Sequence, residues 1–266
     1  MKKLVTYAAA LMLTGLSTSF AQNNVQADLN NAIQTAENIP QDVQNASNAI
    51  DRLVYEVNIS GTPDANAFYN DLFVLVNHIQ NNADDIDYFV SLAADESIVP
   101  FSTAPVNNLT AQLVVLNDDV IVLTGQIKDA VLENRYSDAN GLIPDLRNAI
   151  ASQSAVSEDI ISVIEGIKQT TTIYQVEIRL IDAQGNPTST NDLFGYYAYD
   201  HTTGEYIYPQ DDHGYPTETF YLPAGTYTFD SFNGYWSGTN SNTVTLSNAL
   251  VNEDGIILVD LVLWSE

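Results

Sequence analysis

The sequence predicts a two-domain protein in which four helices are followed by a β-sandwich, and three features of the 266-residue chain predict it. Apolar residues recur every three or four positions between Val25 and Ile167, which is the period of amphipathic helices. From Thr172 the period changes to two, which indicates half-buried strands. A short apolar leader precedes both parts. We therefore expect a signal peptide at residues 1–21, a helical bundle at 22–169 and a β-sandwich at 170–266.

Residues 1–21 have the layout of a cleavable secretory signal peptide. Lys2 and Lys3 precede an apolar run that ends at Leu16, and a small-x-small cleavage site ends at Ala21. This run is too short for a membrane span, and no later stretch has the ~18 to 20 apolar residues that a span requires. We therefore expect an exported protein, secreted or at the cell surface, without a membrane span.

The composition argues against several classes of partner and cross-link. The chain has 34 acidic and 8 basic residues, a formal net charge of −26, and two of the basic residues lie in the leader. Such a surface repels nucleic acid and anionic lipid. The absence of cysteine excludes disulfides and a lipid on an N-terminal cysteine. We therefore expect no nucleic-acid partner and a stability that depends on burial alone.

The first two helices are predicted from apolar spacing and from a turn between them. The first covers residues 25–57, and because Pro40 interrupts the pattern we expect one kinked helix or two short ones. A Ser-Gly-Thr-Pro turn follows, with Thr62 as the N-cap of the second helix and Pro63 at its first position. The second helix is expected to end near Ala94.

The third helix has the clearest repeat, because apolar residues step by four and three from Leu109 to Val131, close to a heptad. Residues 138–141 (Asp-Ala-Asn-Gly) are expected to form the next turn, and the fourth helix to run to Ile167 with Pro144 in its first turn. Segments of roughly 25 to 30 residues would each be about 40 to 45 Å long. Short connections between them favour antiparallel neighbours, so we predict an up-down-up-down four-helix bundle.

Seven strands are predicted in the C-terminal part. Tyr174, Val176 and Ile178 alternate with polar residues in the first strand. Leu-Pro-Ala-Gly at 222–225 reads as a tight turn in which Pro fixes one backbone angle and Gly is free to adopt the next. Short strands with Gly and Pro turns are typical of an antiparallel sandwich. The expected strands are 172–181, 193–200, 205–208, 218–222, 226–232, 242–247 and 255–264.

Three stretches of this part resemble the carboxypeptidase regulatory-like or prealbumin-like sandwich modules of bacterial surface proteins. They are 182–187 (Asp-Ala-Gln-Gly-Asn-Pro), 222–229 (Leu-Pro-Ala-Gly-Thr-Tyr-Thr-Phe) and 244–246 (Val-Thr-Leu). The resemblance covers residues 172–266. It implies a non-catalytic accessory fold with adhesive, structural or positioning roles, and it provides no active-site residues to transfer. The helical part resembles no family.

Common enzyme signatures are missing from the sequence. It lacks H-E-x-x-H, a phosphate-binding Gly-Lys loop and G-x-S-x-G, and Gly-Tyr-Trp-Ser-Gly at 234–238 has its Ser in the wrong place for a nucleophile elbow. Leu75 stands three residues before His78, where a di-metal bundle needs Glu, so we expect His78 at the surface. We therefore expect no catalytic residues. A secreted hydrolase stays open as an alternative, because the carboxylate pair of a glycosidase is set by spatial separation.

A tyrosine-rich hairpin is the best candidate for a binding surface. If its two strands pair, Tyr199 faces Tyr206 and Tyr197 faces Tyr208, and all four rings share one face. Arrays of Tyr can stack on sugar rings or anchor a protein partner. The alternative is that this face is the core of the sandwich, and the sequence leaves both interpretations open.

The expected function is that of an exported, non-enzymatic structural or adhesion component that contacts an envelope or extracellular protein, or itself. The first alternative is a carbohydrate-binding protein that uses the tyrosine hairpin. No cofactor is expected, although Asp211 and Asp212 could offer oxygen ligands to calcium. The spaced Asp-Asn-Gly pattern of a dedicated calcium loop is absent, which favours a solvated loop there.

Overall fold

The computed structural model describes residues 15–209 and 217–266, with side chains from residue 24 onward. The chain divides into two compact units. The helical unit holds Asn24–Glu96 and Pro100–Lys168, and the β unit includes Gln169–Glu266. Most of the predicted signal peptide lies outside the described residues.

Four long helices occupy the N-terminal part of the described chain: α1 (Gly15–Tyr55), α2 (Ala65–Glu96), α3 (Ala104–Leu132) and α4 (Tyr136–Thr171). They have 41, 32, 29 and 36 residues, or about 62, 48, 44 and 54 Å at 1.5 Å per residue. Helices α1 and α4 are therefore longer than the sequence predicts. No helix within the described ranges has both the length and the hydropathy that crossing a membrane requires.

Helix α1 is continuous through Pro40, where the sequence predicts a kink or a break. Pro40 has no backbone N–H, so the carbonyl of Ala36, one turn earlier, lacks its usual donor. The hydroxyl of Ser157 on α4 donates to that carbonyl at 3.0 Å, and both residues are fully buried. The hydrogen bond that proline removes is thus replaced from a neighbouring helix.

The connection between α1 and α2 lies at the predicted Ser-Gly-Thr-Pro segment, but the residue that caps α2 differs from the prediction. A π-helical turn over Glu56–Ser60 ends α1, and Gly61 follows it with φ 69°, a conformation that glycine adopts without strain. The carboxylate of Asp64 accepts a hydrogen bond from the backbone N–H of Ala67 at 2.9 Å. Asp64, and not Thr62, is therefore the N-cap of α2, and Pro63 precedes the helix.

The predicted turn at 138–141 is wrong, because these residues lie inside α4. The connection from α3 is instead made by residues 133–135, where Asn134 has φ 58°. Asn tolerates this left-handed conformation better than most residues. Pro144 consequently lies in the third turn of α4 and not in the first.

The helical unit has two clusters of buried apolar residues, and each cluster receives side chains from all four helices. Between them lies a buried polar contact. The amide of Asn117 donates to the carbonyl of Val76 at 3.3 Å and accepts a hydrogen bond from the amide of Gln153 at 2.6 Å. These hydrogen bonds satisfy polar groups that would otherwise be costly to bury.

Eight strands follow in the described part of the β unit. All seven predicted strands are present, and β6 is additional. The strands are β1 (Ile173–Ile181), β2 (Tyr196–Asp200), β3 (Tyr206–Ile207), β4 (Thr219–Pro223), β5 (Gly225–Ser231), β6 (Ser237–Asn240), β7 (Asn242–Leu246) and β8 (Ile256–Ser265).

The strands form two four-stranded sheets within the described residues. The first has the order β4-β1-β8-β6 and the second β3-β2-β5-β7. All pairs are antiparallel except β1 with β8, which are parallel, with Val176 opposite Ile257. The prediction of a wholly antiparallel arrangement is therefore wrong at this pair. One apolar cluster contains side chains of both sheets, Val176 and Phe229 among them.

Residues 222–225 join the two sheets, because β4 belongs to the first and β5 to the second. Gly225 does not have a positive φ. A Cβ at Gly225 would lie 3.1 Å from the ring of Tyr227, whose hydroxyl donates to the carbonyl of Pro223 at 3.2 Å. A side chain at this position would therefore crowd the buried tyrosine ring by a few tenths of an ångström, whereas the backbone conformation itself does not call for glycine.

Candidate functional site

The predicted hairpin is present, with Tyr199 opposite Tyr206 and Ala198 opposite Ile207. The strand β3 ends at Ile207, so the predicted pair of Tyr197 with Tyr208 is not part of the ladder. Asp200 closes its turn. One of its carboxylate oxygens accepts from the backbone N–H of Thr202 at 2.7 Å, and the Asp200 carbonyl accepts from Gly204 at 2.8 Å. Gly204 has φ 73°. Asp200 is thus held inside the turn, which fixes how the tyrosines on β2 and β3 are presented.

Tyr197, Tyr199, Tyr206 and Tyr208, here named the tyrosine face, lie on the outer side of the second sheet. Tyr206 and Tyr208 are 57% and 52% exposed, whereas Tyr197 and Tyr199 are half-buried. The ring centroid of Tyr206 lies 5.1 Å from that of Tyr199 and 5.5 Å from that of Tyr197. Of the two interpretations that the sequence left open, the structure favours the exposed surface.

The opposite side of the hairpin faces the core. Ala198 is fully buried, and Tyr196 is 8% exposed. Burial, together with the nearby charge of Glu218, raises the pKa of Tyr196 to about 12. The small side chain of Ala198 is compensated by the buried rings of Tyr227 and Phe229 on the adjacent strand.

Phe232 extends the tyrosine face beyond the hairpin. Its ring centroid lies 5.0 Å from that of Tyr197 and 5.9 Å from that of Tyr208, and the ring stacks on Tyr208 with an interplanar angle of 23°. These residues line a depression of ≈ 420 Å³ with Tyr206, Asp230, Ser231 and Asn233. The site is therefore a shallow aromatic surface and not a deep cleft.

Asp230 is the carboxylate of this depression. It accepts hydrogen bonds from the hydroxyls of Thr239 at 2.7 Å and Tyr197 at 3.3 Å, and from the backbone N–H of Ser231 at 2.8 Å. Burial and then the charge of Asp230 raise the pKa of Tyr197, so its phenol stays protonated at neutral pH. The surface therefore presents neutral hydroxyls beside one internally bonded carboxylate.

Threonine hydroxyls border the tyrosine face on β5 and β7. The Oγ1 atoms of Thr226 and Thr245 are 2.8 Å apart, and those of Thr228 and Thr243 are 2.7 Å apart. The Nε2 atom of His201 lies 2.8 Å from Thr228 Oγ1. The outer side of this sheet thus combines rings on one edge with a row of hydroxyl groups on the other.

A second aromatic group, here named the aromatic tip, consists of Phe194, Tyr235 and Trp236. These side chains are 61%, 80% and 69% exposed. The rings of Phe194 and Tyr235 meet edge to face at 5.5 Å. This group is not among the predicted sites, although the Gly-Tyr-Trp-Ser-Gly segment and its adjacent aromatic residues indicate it.

Asp192 holds the aromatic tip in place. Its carboxylate accepts from the backbone N–H groups of Tyr235 at 3.0 Å and Trp236 at 2.7 Å, and from the hydroxyl of Ser237 at 2.8 Å. Gly234 allows this close approach, because a Cβ there would lie 1.9 Å from the carbonyl oxygen of Asp192. The tip is therefore an ordered turn with a defined carboxylate at its base.

We expect the aromatic tip to loosen in acid. The N–H of Trp236 and then the hydroxyl of Ser237 lower the pKa of Asp192 below its ordinary value of 3.8. A depressed pKa means that this stabilisation is fully present above that ordinary value and is lost as the pH falls through the folded value. Tryptophan fluorescence should therefore change at acidic pH.

Two variants test this expectation. Asp192→Asn should show the acidic emission already at neutral pH, and Trp236→Phe should lack the change, which separates the signal of Trp236 from that of Trp264. An unaltered acid transition in Asp192→Asn would show that another group is responsible.

The other predicted residues are the calcium candidates Asp211 and Asp212 and the surface residue His78. Asp211 and Asp212 lie outside the described residues. Within the described ranges, no group of three His, Asp or Glu side chains is arranged to hold a metal ion. His78 is on the surface as expected, with its side chain 57% exposed and its Nδ1 atom 3.6 Å from a carboxylate oxygen of Asp42.

Comparison with known proteins gave no relative. No protein family matches the chain, and neither a curated protein nor a solved structure is significantly similar to it. The likeness of residues 172–266 to carboxypeptidase regulatory-like modules therefore stays a prediction from turn chemistry, and any functional argument depends on the surfaces described above.

Proposed function

We propose that the protein is an exported, non-enzymatic adhesion component, secreted or at the cell surface, whose β unit binds carbohydrate through the tyrosine face. The observation that carries this proposal is a connected group of aromatic rings on the outer side of a sheet. Tyr206 contacts Tyr197 and Tyr199, and Phe232 connects Tyr197 to Tyr208. Tyr206 and Tyr208 each keep more than half of their surface in solvent. Apolar surface of this kind on a folded unit marks a site of interaction.

The chemistry of the face suits a sugar. Aromatic rings offer flat apolar area for the apolar faces of a sugar ring, and their hydroxyls offer hydrogen bonds at the edges. Tyr197 is positioned by Asp230, and Tyr199 by its ring contacts with Tyr206 and His201. Rings that are already held lose little conformational freedom on binding.

The helical unit would serve as a spacer, and we propose that it is an up-down-up-down four-helix bundle. One apolar cluster joins residues 25–39 of α1 to 79–93 of α2, 106–113 of α3 and 156–164 of α4. The early part of α1 and α3 thus meets the late part of α2 and α4, as antiparallel neighbours do. For the β unit we propose a sandwich, because both sheets contribute to one apolar cluster.

The test is the binding of the chain without its leader, residues 22–266, to immobilised polysaccharides. The double variant Tyr199→Ala/Tyr206→Ala should bind at least tenfold more weakly, a change of about 1.4 kcal/mol. The reason is that aromatic residues at the centre of an interface carry most of its binding free energy.

Tyr221→Ala is the matched control, because Tyr221 is 43% exposed on β4 of the other sheet and should not affect retention. Retention of the double variant at the wild-type level would contradict the tyrosine face as the site. Failure of the unaltered chain to bind any polysaccharide would contradict the function.

A further inference from the structure

We propose that the ligand is a long, uncharged polysaccharide chain that crosses the tyrosine face and continues over the aromatic tip, so that the site has two consecutive segments. This inference rests on the proposed carbohydrate-binding function and deepens it. It assigns a role to Phe194, Tyr235 and Trp236, whose exposure the packing of the β unit does not explain.

Phe232 joins the two segments. Its ring contacts Tyr197 and Tyr208 of the tyrosine face. Its backbone carbonyl accepts from the N–H of Phe194 at 3.1 Å, and its own N–H donates to Gly195 at 2.9 Å. Gly195 has no side chain, so the surface beside Phe232 stays open where the strand leads toward the tip.

The two segments together exceed the size of a single sugar ring. Tyr199 and Phe194 are five positions apart, which is at most about 17 Å at 3.3 to 3.4 Å per residue in extended chain. The strict alternation of a strand does not reach Phe194, because β2 begins at Tyr196 and Gly195 has φ 118°. Tyr235, in ring contact with Phe194, lengthens the surface further. A surface of this length contacts several consecutive units of a polymer.

The aromatic tip is ordered before any ligand arrives. Asp192 binds three donors of the turn, and Gly234 fits against the Asp192 backbone only because it lacks a Cβ. Tyr235 and Trp236 are the most exposed aromatic side chains of the described β unit. A rigid turn that displays two large rings to solvent lowers the ordering cost of binding.

The charged side chains of the β unit favour an uncharged ligand. Arg179 is the one Lys or Arg in the sequence after Lys168, and it pairs with Asp260 on the first sheet at 2.6 and 2.9 Å. An anionic polysaccharide therefore meets no Lys or Arg side chain at the aromatic surface. Asp192 and Asp230 each accept three internal hydrogen bonds, which occupy most of the acceptor sites that they could offer to a cationic sugar. The hydroxyl groups of an uncharged sugar are therefore the expected partners of this surface.

The test compares chain lengths. Disaccharides and hexasaccharides of the cello-, malto- and manno-series are titrated into residues 22–266 and into two double variants. Tyr235→Ala/Trp236→Ala should weaken the binding of a hexasaccharide about tenfold and leave that of the disaccharide unchanged. Tyr199→Ala/Tyr206→Ala should weaken both. The unfolding midpoints of both variants are measured to establish that the β unit stays folded.

The outcomes separate this inference from the proposed function. If only the tyrosine-face variant weakens the hexasaccharide, or if both lengths bind equally, the two-segment site is overturned and the function stands. Binding of alginate or chitosan in place of the neutral series overturns the uncharged ligand and keeps carbohydrate binding. Binding of none of these sugars overturns both.

Discussion

Replacement of Phe229 by Ala is expected to lower the stability of the β unit by about 3 to 5 kcal/mol. Phe229 is fully buried on β5, and its ring packs edge to face on Phe220 of the other sheet at 5.4 Å. The change removes this contact between the sheets and leaves a cavity. Opposite Phe229 on β2 stands Ala198, which is too small to fill the space.

Urea unfolding followed by tryptophan fluorescence measures this loss, because the two tryptophans, Trp236 and Trp264, both lie in the β unit. Tyr235→Ala is the control and should change the stability by no more than about 0.5 kcal/mol, since its side chain is 80% exposed. A loss below about 1 kcal/mol for Phe229→Ala would mean that the two sheets do not share a core at this position.

Replacement of Ser157 by Ala is expected to destabilise the helical unit by about 1 to 3 kcal/mol, because it leaves the buried carbonyl of Ala36 without a donor. The size of the effect should depend on Pro40. In a Pro40→Ala background the backbone N–H at position 40 can donate to the carbonyl of Ala36 again. Ser157→Ala should therefore lower the free energy of unfolding much less in that background.

The double-mutant cycle of Pro40→Ala and Ser157→Ala measures this dependence. Far-ultraviolet circular dichroism during urea unfolding reports on the helices. Pro40→Ala alone should be stabilising, since proline inside a helix is about 3 kcal/mol less favourable than alanine. An equal cost of Ser157→Ala in both backgrounds would show that the hydroxyl does not act for the proline.

The same residues explain which helix predictions failed. A proline inside a helical pattern predicts a kink or a break. This prediction fails at Pro40 because the hydroxyl that replaces the lost hydrogen bond belongs to Ser157, which is distant in sequence. The glycine at 141 favours a turn at 138–141, whereas the chain turns at Asn134, one of the few residues other than glycine that tolerate a positive φ. Long apolar repeats were read correctly because they depend on local spacing alone.

In the β unit, alternation predicted seven strands and missed β6. Its sequence, Ser-Gly-Thr-Asn, lacks an apolar alternation and includes residues of low strand propensity. It is a strand because it pairs with β8, from Ser237 opposite Ser265 to Asn240 opposite Val262. The parallel pairing of β1 and β8 was equally out of reach, since short strands joined by turns suggest only antiparallel neighbours.

The candidate site was half predictable. The period of two placed the four tyrosines on one face, and the register of Tyr199 with Tyr206 follows from the length of the turn. Whether that face was core or surface depended on Tyr227 and Phe229, which fill the opposite side from another strand. The aromatic tip depends on Asp192, which is more than forty positions before the turn that it holds.

The parallel pairing of β1 with β8 also sets the time at which the β unit can fold. Among the described strands, a nascent chain that ends before Ile256 leaves β1 paired with β4 alone and β6 without a partner. Contacts between such distant segments make folding slow, whereas each helix forms from local contacts. The β unit therefore cannot complete its first sheet until β8 has been synthesised, and the edges of β1 and β6 stay unpaired until then. During that interval the repulsion among its acidic side chains opposes pairing with another unfinished chain.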